Sequence, residues 1–201
     1  MKHTLWINSS LPDAADIFSR NLRYLLRRVN PRKKPLAFVC IGSANVPGDN
    51  LGPLIGTILS RHQLINVYGT MDAPLNALTL PDYLPLLKAI EKNCCLIAID
   101  AAIGTPNQAG YFTLCKGALH PGSALHRRLP PVGHLHITGV FENLDCAVSR
   151  ALLPVFCQQI TSALIDNSSS AQPPQKFAQL YSDVSGTEGH RAPDKAFQKG
   201  H

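Results

Sequence analysis

Charge is scarce in this chain of 201 residues, at 16% Asp, Glu, Lys and Arg, and aromatic side chains are scarcer, at 6% with Trp6 the single tryptophan. A chain this short of charge and 45% apolar is no disordered polyelectrolyte, because it carries enough apolar surface to bury a core. Runs of about eighteen uninterrupted apolar residues are missing, so no membrane partner is expected. The opening MKHTLWINSSLPDA lacks the apolar core of a signal peptide. The expected compartment is therefore the cytoplasm. Cys-x-x-Cys spacing is absent as well. Cys40, Cys94, Cys95, Cys115, Cys146 and Cys157 mostly fall in apolar runs, and the adjacent Cys94 and Cys95 do not supply zinc-ligand pairs. They read as small buried hydrophobes. There is no internal repeat.

What is present points to one domain with a tail. The length suits a single well-buried core. Residues 1–166 form the expected α/β domain, and 167–201, with SSS, QPP and SGTEGH, form a tail expected to lack fixed order. The net charge is +6, and seven of the nineteen basic residues lie between Arg20 and Lys34. A phosphate-binding arm would use such charge but would usually add aromatic or base-reading partners, which do not follow here. A solvated helix end and linker explains the cluster with less, since cations favour a helix C-terminus. No nucleic-acid partner is expected.

Residues 12–29 carry Ile17, Phe18, Leu22, Leu25, Leu26 and Val29 at helical spacing, and Asn30-Pro31 ends the pattern. The apolar run Leu36–Gly42 predicts a buried strand, followed by a loop and a helix from Leu51 to about His62. Leu64–Tyr68 predicts a second strand, Pro81–Asn93 a helix and Cys95–Ile99 a third strand. Further strands are expected at Tyr111–Cys115 and Leu135–Val140, with a last helix from about Asp145 to Ile165, kinked at Pro154. Between those strands runs a long Pro- and Gly-rich connection, HPGSALHRRLPPVG, of the kind that is more often functional than idle. This alternation predicts an α/β fold with a mainly parallel sheet and helices on both faces. In such sheets the ligand site lies beyond the carboxyl ends of the strands, where Gly42–Asp49 and Asp100–Gly104 emerge.

The loop Gly42-Ser43-Ala44-Asn45-Val46-Pro47-Gly48-Asp49 could cradle phosphate on its N–H groups, but it has neither the Lys and Ser/Thr of a Walker loop nor dinucleotide glycine spacing. Asp49 has two readings, as the N-cap of the next helix or as an acidic site residue. Asp100 ends the apolar run LIAID, where a charge is costly unless it is used. Two carboxylates leaving neighbouring strand ends can share a proton as general acid and base, or bind a divalent ion. His134 and His136, two apart in a strand, share a face and could ligate metal with an aspartate. A lone strand histidine is usually structural, and that reading suits His134 better than His136. Arg127 and Arg128 either bind a substrate carboxylate or solvate the loop.

Five segments taken together resemble the YyaC family of sporulation proteins: GDNLGPLIG (Gly48–Gly56), VYGTMDAPLNAL (Val67–Leu78), LIAIDA (Leu96–Ala101), HPGSAL (His120–Leu125) and LPPVGHLHITG (Leu129–Gly139). That family is regarded as spore-protease-like and is similar in fold to the germination protease and the hydrogenase-maturation endopeptidases. The resemblance implies a three-layer α/β/α sandwich with a mainly parallel, mixed sheet of the phosphorylase/hydrolase-like kind. It implies a peptidase-like hydrolase acting on a peptide or protein substrate, with catalytic Asp49, Asp100 and His136 and substrate-binding Asn45, Asp72, Asn76 and Arg127. A divalent metal ion is the cofactor it allows, since the matching acidic residues and a histidine hold one in the hydrogenase-maturation enzymes. It also implies residence in the cytoplasm of the developing spore. The chain departs from the family pattern at Ala44, Asn45, Asn76 and His134. Those departures motivate the alternative, a non-catalytic sporulation or regulatory protein that binds a peptide or partner.

Overall fold

The structure, a computed structural model, describes residues 4–62, 66–122 and 129–168. Ten elements follow one another: β1 (Thr4–Asn8), α1 (Ala14–Val29), β2 (Leu36–Cys40), α2 (Leu51–Ser60), β3 (Asn66–Tyr68), α3 (Leu80–Glu91), β4 (Cys95–Ile103), β5 (Tyr111–Lys116), β6 (Leu135–Phe141) and α4 (Ala147–Ser168). Every element predicted from periodicity is found within a few residues of its expected bounds, although β4 runs on to Ile103. The predicted second strand begins outside the described residues; of the tail expected from 167, Asn167 and Ser168 are the last residues of α4, and the rest lies outside the described residues. β1 was not expected. TLWIN alternates, with Leu5 and Ile7 turned to the core and Trp6 exposed, which is the pattern of a strand covered on one face.

The six strands form one sheet in the order β1-β5-β6-β4-β2-β3. β2, β3, β4 and β6 are mutually parallel, and β5 pairs antiparallel with both β6 and β1. The mixed α/β class is thus as expected. Leu36, Phe38 and Cys40 of β2, Ile97 and Ile99 of β4, Phe112 and Leu114 of β5, and Leu135 and Ile137 of β6 share one face. Phe18 and Leu22 of α1, Ile55 and Leu59 of α2, and Phe156, Ile160 and Leu164 of α4 cover it. Edge-to-face contacts link Phe18, Phe112, Phe156 and Phe141, with centroids 5.2 to 5.8 Å apart.

The opposite face is covered unevenly. Leu80 and Leu87 of α3 pack on Val39 and Ala98, joined by Leu119, Leu129 and Val132 from the connection after β5. Thus three helices cover one side and one helix covers the other. α4 continues through Pro154. By length and composition it could cross a membrane, with a mean hydropathy of 1.2 over its most apolar window, although polar residues interrupt every apolar run within it. Its apolar stripe instead lies in the core, between the sheet, α1 and α2, so it serves as a core helix.

Connectivity fixes where a site can form. From β2 the chain passes through α2 on one face to β3, then through α3 on the other face back to β4, on the far side of β2. The connections therefore diverge between β2 and β4. That divergence leaves a crevice at their carboxyl ends, where ligands bind in open α/β sheets.

Candidate active site

Asp49 reaches the crevice through a loop that glycine makes possible. Gly42 leaves β2 with φ of 147°, and a Cβ there would collide with the backbone oxygen of Asp49, so no other residue lets the loop fold back so closely. The N–H of Ser43 donates to Asp49 Oδ2 at 2.7 Å. Asp49 is not the helix cap. That position belongs to Asn50, and its side chain makes no capping bond. The helix behind the loop sits unusually close to the sheet, because a Cβ on Gly52 would strike the backbone of Ile41.

Asp100 arrives from the sheet itself. It lies inside β4 rather than at its end, in register with Thr138 of β6, while the neighbouring pair is Ala98 with His136. Side chains alternate along strands, so Ala98, Asp100, His136 and Thr138 share the face away from α1, α2 and α4. Asp100 Oδ1 accepts the N–H of Ala101 at 2.8 Å. His136 Nδ1 lies 2.9 Å from the carbonyl oxygen of Gly117, which it can meet only as an N–H donor. Cys115 is the cross-strand partner of His136 and of Thr4.

The electrostatics make the two carboxylates unequal. Some of Asp100's surface still meets solvent, yet desolvation between β2 and β6 pushes its carboxyl up from 3.8 to about 7. Its bond to Ala101 opposes the rise, the charge of Asp49 adds to it, and His136 opposes it. Asp49 is raised too, mainly by desolvation, against the lowering bond from Ser43. Where Asp49 is ionised, its negative charge makes Asp100 harder to ionise. Burial pushes the Cys115 thiol up, but its hydrogen bonds with His136 and Thr4 outweigh that and hold it below the ordinary thiol range.

The same geometry bears on metal binding. Among the described residues no three His, Cys, Asp or Glu side chains converge closely enough to hold an ion, although the bond from Nδ1 of His136 to Gly117 would not by itself keep its Nε2 from a metal. The donors present do not fit a three-ligand metal site.

The other expected site residues scatter. Asn45 and Asp72 are exposed on loops. Asn76 lies just before α3, where its Oδ1 accepts the N–H groups of Leu78 and Thr79, and Leu75 beside it bridges Ile41 at the end of β2. Arg127, with Arg128 and His126, lies outside the described residues. His134 takes the Leu96 N–H on Nδ1 at 3.0 Å and approaches Glu91 at 3.7 Å, which is a structural use. Missing from the sequence reading were Ser43, Thr138 and Cys115. Strand alternation from His136, together with the pairing of β5 on β6, is the signal that finds the last two.

Comparison with known proteins agrees with the motif resemblance. The chain is 40% identical over 109 residues to the uncharacterized protein YyaC of Bacillus subtilis (strain 168), a match covering 53% of either chain. It thus spans about half the length of that curated relative. A [NiFe] hydrogenase maturation protease, HycI from Thermococcus kodakarensis KOD1, superposes with a TM-score of 0.43 at 16% identity, covering 70% of this chain and 99% of that one. Residues 7–156 match the model of a family described as a protein of unknown function, DUF1256, and the chain belongs to that family.

Proposed function

We propose that the chain is a peptidase-like hydrolase in which Asp49 and Asp100 act as a general base and general acid on a peptide or protein substrate. The observation that supports this most is the pair itself: two carboxyls at the sheet's switch point, both raised, with Asp100 at about 7 and influenced by Asp49. Groups of one kind whose environments push them apart divide acid and base work between them. At neutral pH Asp49 is the carboxylate that takes a proton from water, and the resulting hydroxide adds to the peptide carbonyl carbon. Asp100 gives its proton to the carbonyl oxygen. In the second half Asp49 passes its proton to the amide nitrogen, the C–N bond breaks, and Asp100 recovers its proton as the new carboxyl group forms. His136, held by Gly117, positions this face and limits how far Asp100 rises. The motif resemblance to spore-protease-like proteins would suit such a reaction in the cytoplasm of the developing spore.

The test is to incubate the protein with a peptide library cut from a whole proteome and to read new termini by mass spectrometry near pH 7. Asp49→Asn and Asp100→Asn should each lower cleavage by about 100-fold or more while circular dichroism stays unchanged. Cleavage that survives Asp100→Asn overturns the assignment.

A second reading has its own observation. Trp6 is 44% exposed on the half of the sheet face that α3 leaves uncovered, with its ring edge-on to Tyr111 at 6.4 Å. Such a surface suits a non-catalytic protein that binds a peptide or partner. Trp6 fluorescence that responds to library peptides without any turnover would favour it.

A further inference from the structure

The basic cluster between Arg20 and Lys34 is not absorbed by the hydrolase reading, and the fold gives it a shape. A cavity of about 470 Å³ opens at the amino edge of the sheet, the opposite edge from the aspartate pair. Arg23, Arg27, Lys33 and Asn167 line it, and Asp166 is the one acidic residue among its lining. A volume of that order accommodates a small ligand.

Two features distinguish this cavity from a solvated helix end. First, among the described residues the cations are not neutralised: the two ion pairs found there join His134 to Glu91 and Arg150 to Asp145. Arg28 turns away to stack on Tyr24 at 5.1 Å, and Lys34 Nζ donates to the carbonyl of Lys92 at 2.8 Å. Arg23 donates from its Nε to Asn167 Oδ1 at 3.3 Å, which leaves its two terminal nitrogens as the donors it could offer, and Arg27 and Lys33 have no such occupation. Second, the linker holding Lys33 is built rather than loose. Asn30 accepts the Lys34 N–H on its side chain at 2.8 Å, donates to the Lys34 carbonyl at 2.7 Å, and accepts the Lys33 N–H on its backbone oxygen at 3.0 Å. That clamp keeps Lys33 at φ of 51°, the one positive φ among the described non-glycine residues. A lysine pays steric strain there, where glycine or asparagine would not, and such strain marks places where the side chain is used. Helix-end preference accounts for Arg27. It does not account for Lys33, which lies beyond the helix.

We propose that this cavity is a binding site for a small, multiply charged oxyanion, separate from the aspartate pair. Arg23 and Arg27 would offer planar donor forks suited to bidentate phosphate or carboxylate, and Lys33 a point charge from the other wall. This proposal does not depend on the hydrolase reading.

The experiment is calorimetric titration of the full 201-residue chain with inorganic pyrophosphate and, separately, with citrate. At least one should bind with a dissociation constant below about 1 mM in dilute salt and more weakly as salt is added. Tighter pyrophosphate binding would assign the site to phosphoryl groups, and tighter citrate binding to carboxylates. The double variant Arg27→Gln, Lys33→Asn keeps a helix former and a residue tolerant of positive φ, and it should bind at least about tenfold more weakly. Arg150→Gln, neutralising an exposed arginine outside the cavity, should bind as the parent does. If neither anion binds, if the double variant binds as the parent, or if Arg150→Gln loses as much, the proposal is overturned.

Discussion

Replacing Asp100 by asparagine should make the protein more stable at alkaline pH and leave it nearly unchanged at acid pH. The carboxyl rises from 3.8 to about 7 on folding, mainly through desolvation. A raised acid holds its proton in the folded state over a range where the unfolded chain has released it. Stability is therefore complete below the unfolded value and falls as pH climbs toward the folded one. At about 1.4 kcal/mol per pH unit the full penalty above pH 7 is about 4 kcal/mol, and about 2 kcal/mol is a fair lower figure given the solvent that still reaches the carboxylate. Asparagine keeps an oxygen for the Ala101 N–H and carries no charge to bury. Urea unfolding of parent and variant at pH 5 and pH 8, with chelator present, reads the difference directly, and titrating groups other than Asp49 and His136, which interact with Asp100, cancel in the comparison. Part of the penalty is already present at pH 5, above the unfolded value, so the advantage of the variant should grow by roughly 1 to 3 kcal/mol between the two pH values. An equal difference at both, or a variant less stable at pH 8, would refute the claim that Asp100 is held protonated by its surroundings.

Two further outcomes follow from local geometry. Gly52→Ala drives a methyl group into the backbone of Ile41, and overpacking of that kind should cost about 1 to 3 kcal/mol; an unchanged urea midpoint would show that α2 can move off the sheet freely. His136→Gln removes the hydrogen-bond partner that lowers the Cys115 thiol, so alkylation of Cys115 near pH 7.5, followed by peptide mapping, should slow severalfold. An unchanged rate would mean that Thr4 and Thr113 supply the effect without His136.

Legibility from sequence followed the strength of the local pattern. α1 was readable because Phe18 and Leu22 recur at helical spacing and Asn30 stops the helix, and β2 and β4 because LAFVC and CLIAI are too apolar and too short for anything but buried strands. β1 escaped because five residues with only two inward side chains, Leu5 and Ile7, give a weak period, and its partner β5 lies more than a hundred residues away in the chain. Asp49 shows the limit more sharply. A carboxylate just before a helix has the signature of an N-cap, and only the three-dimensional path of the loop, folded over Gly42 and bonded to Ser43, shows that its oxygen is turned elsewhere. Asp100 was expected at a strand end because a charge rarely sits inside a strand. β4 instead continues for three residues past it, to Ile103. The pairing of β5 with β6 that sets Cys115 beside His136 is a long-range fact that no local window contains.

That placement inside the strand bears on what the pair is for. A carboxyl at a frayed strand end can move toward water and keep an ordinary affinity for protons. Asp100 cannot, because its backbone is fixed on both sides, against Thr138 of β6 and, one residue earlier, through the Ile99 carbonyl to the Ile41 N–H at 2.7 Å. The desolvation cost is therefore built into the sheet rather than imposed by a mobile loop. Asp49, by contrast, rides on a loop and is held by one N–H. On the proposed reading the arrangement sets an acid fixed in the sheet beside a base carried on a loop packed closely against Gly42. Holding a carboxyl protonated at neutral pH costs stability that an asparagine would return, and on the proposed reading that cost is what keeps a proton available beside Asp49.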